Sequence, residues 1–161
     1  MDEEAHTMSL PDEKVEALVH GWRQLAVLHT RIAARLEQVL QGQFELSVNE
    51  YGVLELLSRQ EEHHLRMGQL ATAMAMSQAA TTRLVTRLED RGLLRRCLCP
   101  DDRRGIYSEA TGEGAALLAH ARQEHNAALE KALCEAREAN PDMAHLIEAI
   151  GTAERQPVLV S

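Results

Sequence analysis

The sequence predicts a mainly helical protein with one small β-hairpin. The chain has 161 residues, of which 45% are apolar and only 2% aromatic, and Ala, Leu, Glu, Arg and Gln dominate it. These residues are good helix formers, whereas strand-rich folds and aromatic platforms for single-stranded nucleic acid usually contain more aromatic side chains. The length favours one domain over residues 1–161.

Location and compartment follow from what the sequence lacks. No apolar run approaches the roughly 18 residues of a membrane span, and no charged-then-apolar leader opens the chain. Three cysteines without a framework spacing argue against a secreted disulfide fold. We therefore expect a cytoplasmic protein without a membrane partner.

The net charge of −8 is distributed unevenly along the chain. Residues 66–108 contain eight Arg against four acidic side chains, a net charge of +4, whereas residues 1–65 carry −7 and residues 109–161 carry −5. Arg forms bidentate hydrogen bonds to phosphates and base edges, so the central block favours contact with nucleic acid. A solvated Arg-rich helix face is the alternative interpretation.

Residues 12–41 are predicted to form one long helix, because apolar side chains recur along one face. These side chains are Val15, Leu18, Val19, Trp22, Leu25, Ala26, Ile32, Leu36 and Leu40. At about 1.5 Å per residue the helix spans roughly 45 Å, which is too long for so small a domain to cover. A partner chain is its natural cover.

Two shorter helices are predicted next. Ser47 and Glu50 have the spacing of a capping box, which begins a helix that ends near Ser58. Residues 59–66 form a polar connector that ends in a short strand, and a third helix covers about residues 67–74. The side chains expected to face inward from the second helix are Tyr51, Leu54 and Leu57.

The fourth helix, residues 77–91, is predicted to be a recognition helix for the DNA major groove. Ser77 caps its start and Gly92 stops it. Its inner face is expected to comprise Ala80, Leu84 and Leu88. Its outer face is expected to comprise Gln78, Thr82 and Thr86, flanked by Thr81 and Arg83. The outer face has no acidic residue before Glu89, and phosphate would repel carboxylates there.

Residues 93–111 are predicted to form a wing, in which two strands are joined by a turn at residues 100–105. The turn carries Arg103 and Arg104, long cations that can enter a narrow minor groove. Asp101 can hold one of these guanidinium groups by a charge-assisted fork. The alternative is an exposed turn whose charges only solubilise the hairpin, but the position behind an acid-free helix favours the wing.

Residues 112–155 are predicted to form further helices that suit a dimer. The first carries an apolar series that His125 interrupts on the same face. Asn140 followed by Pro141 starts a final amphipathic helix.

The run from Leu65 to Gly114 resembles the MarR family of bacterial winged helix-turn-helix regulators. The matching motifs are Gly68-Gln69-Leu70-Ala71, Ser77-Gln78, Thr81-Thr82-Arg83-Leu84-Val85, Arg87-Leu88-Glu89, Arg91-Gly92-Leu93-Leu94, Asp101-Asp102-Arg103-Arg104 and Thr111-Gly112-Glu113-Gly114. The wing pattern, Asp-x-Arg followed by a strand and Thr-x-x-Gly, is the most specific part. The flanking helices also match the family's layout, so the resemblance covers nearly the whole chain.

The resemblance implies a homodimer, joined by residues 12–41 and 112–155, that binds a near-palindromic operator in double-stranded DNA and usually represses transcription. The winged helix-turn-helix lobe would occupy residues 45–111. The implied contacts to the major groove or adjoining phosphates are Ser77, Gln78, Thr81, Thr82, Arg83 and Arg87. In the wing, Arg103 would enter the minor groove and Asp101 would orient it. The outer helix face adds Thr86 and the wing turn adds Arg104 as further DNA-binding candidates.

Family members often bind a small, frequently aromatic or anionic effector between the dimer helices and the DNA-binding lobe. The resemblance implies that this pocket would involve Trp22, Arg23, His29 and Tyr51. Trp22 lies on the apolar stripe, so a core position is the simpler interpretation of that residue. A ligand in the pocket would change the separation of the two recognition helices, which the operator fixes near one DNA turn, about 34 Å.

The sequence contains no evident catalytic or metal-ligating constellation. Cys97 and Cys99 have no second pair nearby, and no pair of histidines has strong ligand spacing. The histidines considered are His63, His64, His120 and His125. No nucleophile is accompanied by a base and an orienting group. We therefore expect no cofactor, no metal and no enzymatic activity.

Three alternatives stay open. Arg95 and Arg96 could lower the pKa of the Cys97 or Cys99 thiol, which would suit a thiol-responsive regulator, although small apolar fillers are the simpler interpretation. A metal-responsive regulator of the same fold is the second alternative. The third is a winged protein-interaction module that does not bind DNA, for which an apolar stripe on the outer face of the fourth helix would be expected.

Overall fold

The computed structural model describes residues 12–60, 64–99 and 102–152, without the side chains of residues 99 and 102–104. Its helices are α1 (Glu13–Phe44), α2 (Val48–Ser58), α3 (Met67–Ala73), α4 (Gln78–Asp90), α5 (Gly112–Ala139) and α6 (Ala144–Gly151). Its strands are β1 (His64–Arg66), β2 (Leu94–Cys99) and β3 (Asp102–Ala110). The predicted mainly helical winged fold is confirmed.

Helix α1 runs three residues beyond the predicted end at residue 41. It ends at Glu45, which adopts the left-handed backbone conformation with φ 55°. Arg91 donates from Nη1 to the Glu45 carbonyl at 2.6 Å and from Nη2 to the Phe44 carbonyl at 3.1 Å. The terminal carbonyl groups of a helix need such partners, and here the partner comes from a distant part of the chain.

Helix α2 begins at the predicted capping box. Ser47 Oγ accepts from the Glu50 N–H at 3.1 Å, and Glu50 Oε2 accepts from the Ser47 N–H at 2.8 Å. The inward residues Tyr51, Leu54 and Leu57 are buried as predicted. The capping box therefore sets both the start of α2 and the face that it buries.

The main core lies under the winged lobe, where α2, α3, α4 and the base of the sheet meet α5. Its fully buried members include Leu54, Leu57, Leu70, Leu84, Val85 and Leu88. From α5 the core receives Leu118 and Ala121. The N-terminal part of α5 is thus continuous with the lobe, although the rest of the helix runs away from it.

The sheet has the strand order β1-β3-β2 and is antiparallel throughout. Strand β1 confirms the short strand predicted at the end of the polar connector. In contrast, β3 begins at Asp102 instead of after residue 105, so the predicted turn at residues 100–105 is wrong in length. Cys99 pairs with Asp102, which leaves a connection of residues 100 and 101, both outside the described residues.

The early start of β3 has a simple physical reason. Ladder hydrogen bonds join backbone groups and do not require apolar side chains, so the charged residues 102–104 can continue a strand. The prediction of a turn rested on the charged residues and on Gly105, which are common in turns but do not exclude a strand.

A second, smaller core holds α1 against α5 and α6. It consists of Leu28, Ala136 and Met143, with Ile32 and Ile147 packed beside them. The predicted final helix starts with a 3₁₀ turn, Pro141–Met143, before α6. Asn140 caps this turn, and its Nδ2 donates to Gln24 Oε1 on α1 at 3.3 Å.

A partly buried ion-pair network also links α2 to α5. Glu55 accepts from Arg122 Nε at 3.0 Å and from Arg59 Nε at 2.7 Å, and Arg122 Nη2 donates to Ser58 Oγ at 3.0 Å. Burial alone raises the pKa of Glu55. The hydrogen bonds from Arg122 and Arg59 lower the pKa by more than burial raises it, so the pKa lies below its usual 4.5. The ionised carboxylate therefore ties the lobe to the long helix.

The N-terminal half of α1 leaves its apolar stripe uncovered. Trp22 is 70% exposed in the single chain, so it is not a core residue of this chain. The other exposed members of the stripe are Val15, Leu18, Val19 and Leu25. Within the described residues, no helix combines the length and apolar character needed to cross a membrane.

The start of α5 provides a test of the packing against the wing. A Cβ atom added at Gly114 would lie 2.1 Å from the carbonyl oxygen of Leu93, a backbone atom that cannot move aside cheaply. We expect Gly114→Ala to lower the free energy of unfolding by about 2–3 kcal/mol, measured by urea denaturation.

Gly112→Ala is the matched control, because a Cβ atom at Gly112 meets nothing within 4 Å. This change should be neutral or stabilising by up to about 1 kcal/mol, because alanine is the better helix former. Equal stabilities of the two variants would contradict the close approach at Gly114.

Candidate nucleic-acid interface

Helix α4 is anchored in the lobe by one buried face. Ser77 Oγ accepts from the Ala80 N–H at 3.2 Å and caps the helix as predicted. The chain leaves the helix through Gly92, whose φ of 71° is readily available to glycine. The buried side chains are Thr81, Leu84, Val85 and Leu88, whereas the predicted inner residue Ala80 is only half-buried.

Thr81 is the one candidate contact on α4 that the structure places on the wrong side. Its side chain is 1% exposed, and its Oγ1 donates to the Ser77 carbonyl at 3.0 Å. Thr81 lies three, four and seven residues before the three buried apolar residues of α4, which is the spacing of one helix face. The sequence contains this signal, and the burial of Thr81 argues against the DNA contact that was predicted for it.

The opposite face of α4 is exposed and contains no acidic side chain over its first three turns. Its exposed candidate residues are Gln78, Thr82, Arg83, Thr86 and Arg87. Glu89, the first acidic residue of the helix, is half-buried and forms an ion pair with Arg96 at 3.2 Å. An amide, two hydroxyl groups and two guanidinium groups therefore line this surface, together with the methyl group of the exposed Ala79.

The two arginines of this surface have different environments. Arg83 forms no ion pair with any residue in the described part of the chain. Arg87 Nε lies 3.2 Å from Oε1 of Glu50, which is buried, while the Arg87 side chain stays 59% exposed. Arg87 is thus both positioned and accessible.

Glu50 holds its charge although it is buried. Burial by itself raises the pKa of Glu50, but the backbone hydrogen bond from Ser47 and the Arg87 guanidinium lower it more, to below the usual 4.5. The same carboxylate closes the capping box of α2 and pairs with α4. It therefore couples the start of α2 to the last turns of α4.

Arg96 docks the wing on α4, a role that the sequence analysis missed. Its Nη2 donates to Thr86 Oγ1 at 3.0 Å and lies 3.2 Å from Glu89. Because the Thr86 oxygen accepts from Arg96, its own hydrogen remains able to donate. No local pattern signals this contact, since it joins two elements that pack only after folding.

On the other face of the wing, the arginine side chains bind residues of the sheet itself. Arg95 donates from Nε and Nη2 to the two carboxylate oxygens of Glu109, both at 3.1 Å. Arg66 Nε donates to the Tyr107 hydroxyl at 2.8 Å. Cys97, which pairs with Tyr107 across the strands, is half-buried on this face.

The predicted tip residues are described only in part. Arg103 and Arg104 belong to β3 by their backbone, and nothing is described of their side chains. Asp101 lies outside the described residues. The wing thus places the two arginines next to its tip, in the strand instead of in the turn.

The four residues expected in an effector pocket do not meet within one chain. Trp22 and Arg23 lie on the uncovered half of α1. Tyr51 is buried, and its ring stacks on His125 with 4.2 Å between the ring centroids. Within a single chain these four residues therefore do not form one pocket, and His125 packs on α2 of its own chain.

His29 lines an apolar cavity of about 240 Å³ between α1, α5 and α6. The lining residues are Leu25, Leu28, His29, Ile32, Ala33, Leu36, Val48, Leu129, Leu133 and Ile150. Among the described residues that line this cavity, His29 is the one with a titratable side chain.

The possible metal ligands stay apart in the described part of the chain. No group of three or more His, Cys, Asp or Glu side chains lies close enough there to hold a metal ion. His63, one of the candidates, lies outside the described residues. The exposed Cys134 is on α5, far in sequence from Cys97.

Comparison with known proteins gives a consistent result. The model of the MarR family matches residues 44–105, which span α2 to the first part of the wing. The HTH-type transcriptional regulator PecS of Dickeya dadantii (strain 3937) is 32% identical over 117 residues, which are 71% of this chain and 69% of PecS.

Two solved structures from Streptomyces coelicolor are similar over nearly the whole chain. Sco3205, a MarR family transcriptional regulator in complex with DNA, has 26% identity and a TM-score of 0.69, covering 89% of this chain and 91% of its own. AbsC, another MarR family transcriptional regulator, has 25% identity and a TM-score of 0.68, covering 89% and 99%.

Proposed function

The chain belongs to the MarR family of transcriptional regulators, and from this premise we propose that it is a dimeric repressor that binds a specific operator in double-stranded DNA. The observation that carries the proposal is the exposed, acid-free face of α4 within a block of net charge +4. The phosphates of DNA repel carboxylates and attract Arg. Because both flanks of the chain are acidic, this basic block is the part of the chain best suited to contact DNA.

Helix α4 enters the major groove with its exposed face. Gln78 suits a bidentate contact with adenine, and Thr82 and Thr86 suit hydrogen bonds or methyl contacts with base edges. Ser77, Arg83 and Arg87 serve adjoining phosphates, which position the helix without specifying sequence. The Arg87 guanidinium is held in place for this task by Glu50.

The wing reaches the adjacent minor groove. Arg103 is the minor-groove residue and Arg104 supports it, because a narrow minor groove has the most negative potential. Their place at the start of β3, beside the tip, suits this role. Asp101 is the proposed orienting residue of Arg103.

The uncovered stripe of α1 supports the dimer. Five large apolar side chains on one helix face remain exposed in the single chain, and a second copy removes them from water. Residues 112–155 contribute α5 and α6 to the same interface, and each lobe then presents one α4 to successive turns of a near-palindromic operator.

An apolar effector in the cavity beside His29 would regulate the dimer. The cavity lies where α1 packs on α5 and α6, so a ligand there shifts the helices that join the lobes. We expect toluene, as an apolar probe, to raise the Tm and weaken operator binding, and Ala33→Phe to abolish both effects by filling the space. No change of either quantity in the wild type would count against the effector site.

The alternatives have less support. A protein-interaction module would need an apolar stripe on α4, whereas Ala79 is the one exposed apolar residue of that face and the others are polar or charged. A measurement of metal content would identify a metal-responsive regulator, and thiol titration would identify a thiol-responsive one. The thiol of Cys97 is half-buried beside Arg95 and Glu109. An enzyme would need a reactive constellation, and similarity to transcriptional regulators favours a binding protein.

The central test is binding to duplexes tiled over the region upstream of the protein's own gene, at two salt concentrations. We expect selective binding by two chains per duplex. If about six to eight phosphates are contacted, log affinity should fall with log salt at a slope of roughly −5 to −7. Equal binding to all duplexes would contradict the proposal.

Variants sharpen this test. Gln78→Ala should relax selectivity at one base position by about 1–3 kcal/mol, and Arg103→Ala should weaken binding most where the minor groove is narrow. Thr81→Val is the control on the same helix, because the Thr81 side chain is buried, and it should leave sequence preference unchanged.

The dimer face is tested by sedimentation velocity. Leu18→Glu places a charge on the exposed stripe and should convert a two-chain mass to a one-chain mass. Val27→Glu is the matched control, because residue 27 lies nine positions and two and a half turns away on the opposite face of α1. A two-chain mass for Leu18→Glu would reject this face as the interface.

A further inference from the structure

The wing carries a pair of apolar side chains that remain exposed instead of packing in the core. Leu98 on β2 and Ile106 on β3 are direct cross-strand partners, and they are 69% and 53% exposed. Single exposed apolar residues are common, but two large ones side by side on a projecting hairpin form a small apolar patch. We call it the wing patch.

The wing patch lies on the face of the hairpin that meets α4. Alternate residues of a strand share a face, so Leu98 lies on the side of Arg96, whose guanidinium contacts Thr86 and Glu89 of α4. On β3, Ile106 lies on the side of Ser108, which is buried. The patch begins where contact with the helices ends, about 6.6 Å beyond Arg96 along the strand.

This position lies between two parts of the proposed DNA surface. On one side is Thr86 on the exposed face of α4, and on the other is the wing tip, next to which Arg103 and Arg104 lie in β3. A protein that places a helix in the major groove and a wing in the minor groove must pass over the sugar–phosphate strand that separates them. Deoxyribose is the apolar part of that strand.

We propose that Leu98 and Ile106 pack against deoxyribose rings of the DNA strand between the two grooves. The inference rests on the proposed function and extends it, because it assigns an apolar contact to a surface otherwise described by hydrogen bonds and charge. The patch excludes water from the sugar face and fixes the height of the wing over the backbone. Its contribution is independent of base sequence and, unlike the Arg contacts, of counterion release.

The test compares the double variant Leu98→Ser plus Ile106→Thr with the wild type on the selected operator, at several salt concentrations. We expect about tenfold weaker binding at every salt concentration and an unchanged salt slope. Arg103→Ala supplies the contrast, since loss of a phosphate-region cation should make the slope shallower.

The control is Val27→Thr, which removes an exposed apolar surface far from the proposed DNA surface and should leave affinity unchanged. Thermal unfolding of the double variant should match the wild type, because both residues are exposed. Selective wild-type binding that the double variant retains in full would overturn the inference and leave the proposed function intact. A wild type that binds no duplex selectively would overturn both.

A further outcome would also overturn it. If the wing patch joins two copies of the chain through their wings, the double variant would have a lower mass in sedimentation velocity without DNA.

Discussion

Leu84, Val85 and Leu88 hold α4 in the lobe core, and the position of every other functional group depends on that burial. A helix that buries one face offers only the opposite face to a ligand. The same packing fixes the azimuth of α4, because rotation by one residue, about 100°, would expose a leucine and bury a threonine or an arginine. Glu50 and Arg96 then secure the two sides of the helix through Arg87 and Thr86.

Most arginines of the basic block have a specific partner within the protein, so their positions matter more than the net charge of the chain. Of the arginines in the basic block, Arg87, Arg95 and Arg96 form ion pairs with Glu50, Glu109 and Glu89, and Arg91 caps α1. On the proposed DNA surface, the pair with Glu50 orients the Arg87 guanidinium in advance, so a phosphate contact there would cost little side-chain entropy. An overall charge of −8 is therefore compatible with a local surface for phosphate.

Local signals made most of the fold predictable. The capping box at Ser47 and the stop at Gly92 are determined by neighbouring residues, and both hold in the structure. Two features depend on distant contacts that no local pattern signals: the end of α1 is set by Arg91, and Tyr51 packs under His125. The length of the wing turn was misjudged for a local reason, because charged residues can continue a strand. Thr81 is different, because its spacing to Leu84, Val85 and Leu88 placed it on the buried face, whereas the sequence analysis placed it beside the outer face.

The Glu55–Arg122 ion pair couples a rotation of α5 to a movement of the lobe. Because Leu118, this ion pair and the Tyr51–His125 stack bind the lobe to the first half of the helix, we expect lobe and helix to turn as one body. The 28 residues of α5 extend about 42 Å, so a pivot of about 5° at its far end displaces the lobe by about 4 Å. A small rearrangement of the packing near Ala136 could therefore carry α4 through about a third of the width of a major groove, which is about 12 Å.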